Sequence, residues 1–380
     1  MWTDERYRGI LSQAVIVILV ALALVWVADN TRTNLDNRGL DIGFDFLADP
    51  AGIGIGVSLI EYRSTDTWLR AMTVGLLNTV LVSALGIVAA TAIGFAAGIM
   101  RLLPNWLIRT IITTWVEFTR NVPLLLQIIF WWTLLLSLPT VRETLRIGDS
   151  IFLNNSGITG PSPVFEPGAS AVLIALAAGV AVAWAVLNWA RKRQAATGER
   201  LPAGWIALGL IVLLPLAVYF ASGEPISWDT PTANRFGRLR GGLTVTPELV
   251  ALWFALSTYT GAFISEIVRA GILSVSKGQT EAAGSLGLKG WQTTRLIIMP
   301  QALRVIIPPL TSQFLNLTKN SSLALAVGFQ DFVGIGSQAQ NQTGQAIEIV
   351  FSWMVVYVSL SLLTSAFMNW YNARIALVER

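Results

Sequence analysis

Two acid–base pairs stand inside apolar runs of the chain: Glu117 with Arg120, and Glu266 with Arg269. The three-residue offset puts both members of a pair on one face of a helix. Charges at membrane depth cost about 2.5–3.5 kcal/mol on insertion scales, which makes these residues candidate gates or structural ion pairs. Asn78, Gln127, Tyr259, Ser265, Gln313, Asn316, Lys319 and Asn320 are polar groups scattered over the same apolar stretches. Other chemistries are excluded outright. Without cysteine or histidine the chain has no disulfide, thiolate nucleophile, His-based metal site or Ser-His-Asp triad. No metal site and no catalytic residue is expected, and the modest, scattered charge of +4 gives no nucleic-acid footprint.

The elements that must hold these groups are membrane helices. Hydrophobic residues make up 54% of the 380 positions and charged residues 13%, against about 25% charged in a soluble domain. A span needs about 20 mostly apolar residues. Runs of that kind occupy roughly 11–28, 72–100, 112–138, 170–189, 204–221, 248–270, 302–326 and 349–368, so the expected fold is an all-α integral membrane protein of about eight transmembrane helices. The first run also fits a secretory signal peptide, although Asp29-Asn30-Thr31 makes a poor cleavage site. Placing both termini in the cytoplasm puts most of the Lys and Arg, including Arg191-Lys192-Arg193, on the cytoplasmic side. Many of the 15 tryptophans fall near span ends, as suits an amphipathic ring in the headgroup layer. Residues 29–70, 139–169 and 222–247 are rich in Gly, Pro, Asn, Asp and Ser and read as external loops. No internal repeat is evident.

One cytoplasmic stretch is neither span nor simple loop: KGQTEAAGSLGLKGWQTTRLIIMP, residues 277–300. Gln279 to Leu286 is expected to form two helical turns with small residues at Ala282, Ala283 and Gly284. Gly287 is placed to stop that helix in a left-handed conformation. A second short helix from about Trp291 would present Leu296, Ile297 and Ile298, with Pro300 marking a turn or bend at the start of the next span. An amphipathic helix lying in the headgroup layer is an equal reading of this pattern.

Glu281-Ala282-Ala283, then after three residues Gly287, then Ile297 and Met299-Pro300 resemble the EAA loop of ATP-binding-cassette importer permeases, with Met299 in place of the usual Leu. TVGLLNTVLVSALGIVAATAIGFAAGI, VEFTRNVPLLLQIIFWW, TYTGAFISEIVRAGILSVSKGQ and IIPPLTSQFLNLTKNSSLA are similar to the polar amino-acid branch of that family. The resemblance implies a type I permease domain over 72–371, interrupted by a two-helix insertion at 139–245 and preceded by a helix and periplasmic loop at 1–71, as in longer permeases of general L-amino-acid uptake systems.

The same resemblance implies partners and a mechanism. Glu281, Ala282, Ala283, Gly287 and Pro300 would couple to a cytoplasmic ATPase, of which there would be two copies. A second permease subunit, expected to be a different chain, would complete the pathway, and a periplasmic amino-acid-binding protein would deliver substrate. Alternating access in the inner membrane would follow from rigid-body rocking. ATP and magnesium would be used by those ATPases and no cofactor by this chain, whose lysines never follow a glycine as a phosphate-binding loop requires. The eight scattered polar residues would offer donors to an amino-acid carboxylate and acceptors to its ammonium, or else serve as interhelical hydrogen bonds worth about 1 kcal/mol or less each. An ion-coupled secondary amino-acid transporter is the rival reading, and a membrane enzyme lacks a nucleophile–base set.

Overall fold

The structure, a computed structural model, describes residues 5–37, 43–199, 201–233 and 239–375. The chain divides into two units: residues 1–132 with 248–380, and residues 133–247.

The first unit begins with α1 (Glu5–Asn37), exposed from Leu11 to Asn30. The expected loop from residue 29 is therefore helical for its first nine residues. After it, Ala51 N–H and Gly52 N–H bond Asp66 and Ser64 carbonyls at 2.8 and 2.9 Å, closing a strap ahead of α2. Helix α2 (Trp68–Met100) starts at Thr67, whose hydroxyl accepts from Arg70 N–H, and it carries the core. Four of its glycines sit where another element comes close. A Cβ at Gly75 would lie 2.9 Å from the Asp331 carbonyl, at Gly86 3.1 Å from Leu317, at Gly94 2.4 Å from Ile264 and at Gly98 2.8 Å from the Ser265 carbonyl.

The expected single span over 112–138 is two helices, α3 (Trp106–Asn121) and α4 (Leu124–Leu136), bent by 106°. Asn105 caps α3, its side chain accepting from Leu107 and Ile108 N–H. Pro123 ends it: proline lacks an N–H, clashes with a preceding helical residue, and leaves Val122 extended at φ −91°, ψ 127°. After the second unit the chain returns through α7 (Pro247–Leu273), packed against α2 through Gly261, Ile264, Ser265 and Val268.

The second unit (residues 133–247) holds α5 (Ala169–Thr197) and α6 (Ala203–Ala221), an antiparallel pair. Its seam is small: Ala175, Gly179, Ala183, Ala203 and Ala207 are buried. A Cβ at Gly179 would meet the Leu210 carbonyl at 2.5 Å. The remaining faces expose large apolar side chains such as Ile174, Trp184, Leu213 and Phe220. The expected loops at 139–169 and 222–247 are not irregular, which corrects the all-helical expectation for this unit. Strands β1 (Leu145–Ile147), β2 (Ile151–Asn154), β3 (Gly157–Gly160) and β8 (Leu243–Val245) form an antiparallel sheet in the order β1-β2-β3-β8. Two ribbons join it: β4 (Ser162–Phe165) with β5 (Ile226–Asp229), and β6 (Thr232–Ala233) with β7 (Leu239–Arg240).

The first unit closes with α8 (Lys277–Ser285), α9 (Gly290–Thr293), α10 (Met299–Asn320), α11 (Phe332–Thr343) and α12 (Ala346–Ile375). Among the described residues, six helices are long and apolar enough to cross a membrane, and α3 with α4 make a seventh span if taken as one. The expected span at 302–326 is α10 followed by a 3-10 stretch, Ser321–Val327. Its Arg304, Gln313, Asn316, Lys319 and Asn320 lower its apolar character below that of the other spans.

Candidate functional site

The stretch 277–300 is a helical hook. Helix α8 stops where Gly287 takes φ +73°, and Gly287 N–H and Leu288 N–H return to the Gly284 and Ala283 carbonyls at 2.9 and 3.1 Å. That pattern closes a helix with a left-handed residue, which glycine adopts without steric cost. The second half begins at α9, where Lys289 N–H is accepted by the Gln292 side chain at 2.9 Å.

Pro300 stands at the start of α10 as expected, in a continuous helical run and not at a turn. It lies in the first turn of α10, after a π-helical segment Thr294–Ile298 whose flanking residues Thr293 and Met299 keep helical dihedrals. A wide turn before the proline leaves room for its ring and does not call on its missing N–H. Of the hook residues only Ala283 and Thr293 are buried. Glu281 and Ala282 are exposed, nothing lies within 4 Å of a Cβ placed on Gly284, Gly287 or Gly290, and Leu286, Trp291 and Leu296 are 79%, 62% and 62% exposed.

The two acid–base pairs belong to one cluster. Glu117 and Arg120 are 3.7 Å apart, and Arg269 bonds both carboxylate oxygens of Glu266, Nε–Oε2 at 3.3 Å and Nη2–Oε1 closer still. Arg101, one residue past α2, joins them. Its Nη1 lies 2.6 Å from Glu266, its Nη2 4.0 Å from Glu117, and its Nε donates to Thr113 Oγ1 at 3.3 Å. The Arg101 side chain is 6% exposed, against 30–52% for the four residues singled out from sequence. One guanidinium thus ties the end of α2 to α3 and α7. Arg101 follows an apolar run directly and reads as a loop charge, so spacing alone does not find it; only contacts distant in sequence do. Arg120 also lies over the Phe263 ring at 5.2 Å, and Phe263 packs on Tyr259 at 5.1 Å.

The eight scattered polar residues separate. Asn78 is fully buried and donates both amide hydrogens to backbone, to the Val57 carbonyl at 2.8 Å and the Gln330 carbonyl at 2.9 Å. Gln127 donates to the Thr119 and Val122 carbonyls at 2.9 Å each, satisfying the open end of α3 at its break. Ser265 is fully buried where α7 meets Gly98. In this conformation Asn78 and Gln127 brace the backbone, and the buried Ser265 hydroxyl has no hydrogen-bond partner among the described residues. Gln313, Asn316, Lys319 and Asn320 do come together along α10, with Asn316 and Lys319 exposed and the other two half-buried. Within the bend of α3 and α4 lies a cavity of about 580 Å³, walled chiefly by Trp115, Phe118, Phe130, Trp131 and Phe254, with Gln127 at its rim.

Sequence reading missed a second polar junction. Asp331, 1% exposed, caps α11 by accepting Gly334 N–H at 2.8 Å, and the Tyr357 hydroxyl lies 3.4 Å from it. It lies outside the membrane-spanning helices, and burial pushes its carboxyl up to about 6. The preceding Gln330 accepts Gly56 N–H at 2.8 Å and donates to the Gly54 carbonyl at 2.6 Å, so this loop holds the strap before α2.

A membrane protein of long apolar helices with an exposed, glycine-stopped hook after one of them, α7, has the build of a transport permease. Residues 86–377 match the family described as binding-protein-dependent transport system inner membrane component, and the chain belongs to that family. It is 52% identical over 378 residues to the General L-amino acid transport system permease protein AapQ of Rhizobium johnstonii, covering 99% of this chain and 94% of that one. It is 40% identical to the Glutamate/glutamine/aspartate/asparagine transport system permease protein BztB of Rhodobacter capsulatus, covering 99% and 96%. With the Glutamate/aspartate import permease protein GltK of Escherichia coli it shares 35% identity over 144 residues, 37% of this chain and 64% of that one. The chain is a multi-span inner-membrane component of a transport system that works with a binding protein.

Proposed function

We propose that this chain is the permease subunit of an ATP-driven importer of L-amino acids with broad range, working by alternating access. The observation that carries the ATP-driven part is the hook at 277–300, a rigid turn whose Leu286, Trp291 and Leu296 project uncovered among the described residues. Exposed apolar anchors rimmed by polar groups mark a protein contact. The substrate class rests on relatives that match almost the whole chain and are named for L-amino acids or for glutamate, glutamine, aspartate and asparagine.

In this reading Glu281, Ala282, Ala283, Gly287 and Pro300 form the face that meets a cytoplasmic ATPase subunit. That subunit supplies the ATP and magnesium chemistry, and both termini of the permease lie in the cytoplasm. A second, different permease chain completes the pathway, to which Gln313, Asn316, Lys319 and Asn320 contribute polar groups from α10. Glu117, Arg120, Glu266 and Arg269, with Arg101, hold the helices that lead into the hook. An ion-coupled transporter leaves the hook without a use.

The test is uptake of labelled glutamate, glutamine, arginine and leucine by cells lacking the gene, restored with the native chain, Gly287→Asn or Gly287→Trp at equal membrane levels. Asparagine tolerates the left-handed conformation and adds little bulk. The native chain and Gly287→Asn are expected to restore uptake of several amino acids, and Gly287→Trp none. Equal uptake with Gly287→Trp removes the ATPase contact from the hook. No uptake with the native chain removes the substrate class.

A further inference from the structure

The sheet layer of residues 145–165 and 226–245 is amphipathic the wrong way round for water. Residues paired across antiparallel strands share a face, and the register pairs Leu145 with Leu153, Ile147 with Ile151, Leu153 with Ile158, and Ile158 with Val245. Leu243, opposite Gly160, falls on the same side. Every side chain of that face is aliphatic, from four strands. The other face carries Arg146, Phe152, Asn154, Thr159 and Thr244.

In a half-solvated sheet the polar face is the exposed one. Here Phe152, Asn154 and Thr159, central on the mixed face, are 5%, 2% and 3% exposed, with Arg146 and Thr244 on the outer strands exposed, while Leu145, Ile147, Ile151 and Leu243 of the aliphatic face are 47%, 59%, 40% and 59% exposed and Leu153, Ile158 and Val245 half-buried. The ribbon β4–β5 is open on both sides. Pro163 pairs with Trp228 and Phe165 with Ile226 on one side, where Phe165 and Trp228 are 62% and 64% exposed, and Ser162, Val164, Ser227 and Asp229 share the other, all but Ser162 exposed.

Chain connections hold the ribbon close to two helix ends. Three residues separate Phe165 from the start of α5, and four separate the end of α6 from Ile226. A chain reaches at most about 3.3–3.6 Å per residue, so Phe165 and Ile226 stay within about 20 Å of those helix ends. Only Thr246 stands between Val245 and the start of α7. The helices α5 and α6 already expose apolar side chains over most of their surface. The ribbon tethered to their ends exposes two aromatic residues, Phe165 and Trp228, of the kind that settles at headgroup level.

We propose that the sheet layer lies on the membrane itself: its aliphatic face and the Phe165–Trp228 side rest in the headgroup and upper acyl region of the leaflet where α5 begins. The insertion is then an interfacial platform as well as a helical hairpin, and its partner is the lipid surface rather than a protein.

The absence of cysteine from the chain makes the test direct. Ile147→Cys, Leu243→Cys and Phe165→Cys report on the proposed lipid side, with Arg146→Cys and Ser227→Cys on the other. Each is spin-labelled in the assembled transporter in phosphatidylethanolamine–phosphatidylglycerol vesicles. Collision with oxygen, which concentrates in lipid, is compared with collision with a water-soluble nickel chelate. The expected result is a severalfold higher oxygen-to-nickel ratio at the first three positions than at Ser227→Cys and Arg146→Cys. A ratio equal to the controls overturns the proposal in favour of a water-facing sheet. Protection from both reagents, with a shortened label correlation time, overturns it in favour of a protein partner. Native-like binding-protein-stimulated ATPase activity is the criterion that a labelled variant is folded.

Discussion

Helices α2 and α5 are both long and apolar, yet they are built for different surroundings. Helix α2 meets α7, α10 and the Asp331 loop through four glycines, and it buries Trp68, Val74, Val82 and Ala90 almost completely. Helix α5 has one close approach, Gly179 on α6, and buries little beyond alanine and that glycine. Between apolar helices in lipid there is no hydrophobic drive to associate, so association rests on close packing and polar contacts. Close approach is what distinguishes a core helix from one that faces lipid, and glycine permits it. Charge follows the same division: the cluster around Arg101 joins α2, α3 and α7, whereas Arg193 near the end of α5 makes local contacts, with exposed Glu199 at 3.1 Å and over the Trp189 ring at 5.5 Å.

The comparison breaks hardest at Gly94. Its Cβ would fall 2.4 Å from Ile264, so Gly94→Leu is expected to separate α2 from α7 at a cost of about 3 kcal/mol or more. Loss of the monodisperse peak after detergent extraction reads this out. The corresponding Gly179→Leu is expected to open only the α5–α6 pair and leave a folded transporter of lower melting temperature. If both variants behave alike, the division between core and lipid-facing helices fails.

Next in size is Arg101→Met. It leaves Glu266 with Arg269 alone and removes the bond to Thr113, for about 2–3 kcal/mol, below the range for fully buried pairs because Glu266 is partly exposed. Arg101→Lys, which keeps the charge but not the fork, is expected to recover part of that loss in a thermal melt. Full recovery would mean that charge alone holds the three helices.

Asp331 predicts a pH effect. Its carboxyl, raised from 3.8 to about 6, favours the protonated form in the folded protein. That contribution to stability is complete below about pH 4 and declines as pH rises through about 6. Asp331→Asn is expected to flatten the melting temperature between pH 4 and 7; an unchanged slope would assign the dependence to another group. The smallest effect belongs to Glu199→Gln, which removes an exposed pair worth about 0.2–1 kcal/mol and is expected to shift the melt by little or nothing.

Much of this architecture was legible. Long apolar runs give α1, α2, α5, α6, α7 and α12, and Gly287 gives the stop of α8, because hydropathy and left-handed glycine are local properties. The break at Val122-Pro123 was equally local, but the apolar residues on either side masked it. The strands of the insertion were also written locally, as alternating Leu145, Ile147, Ile151, Leu153 and Ile158 between Gly-Asp and Asn-Ser-Gly turns. Their short length and polar neighbours made them pass for loop. The acid–base pairs were read as independent because Arg101 lies 165 residues from Glu266. The scattered polar set was read as one group, although Asn78, Gln127 and Ser265 face backbone or a helix seam and the α10 residues do not.

The sequence by itself determined the solvent of this protein, the helices long enough to cross it, the chemistry it lacks and the hook between α7 and α10. Each follows from composition or from neighbours a few residues apart. Tertiary structure alone decided which apolar helix is buried within its own unit and which stays exposed there, which charges share Arg101, and which side of the small sheet is exposed. Those depend on contacts between residues far apart in the chain, where one missing Cβ or one turned strand face sets the outcome.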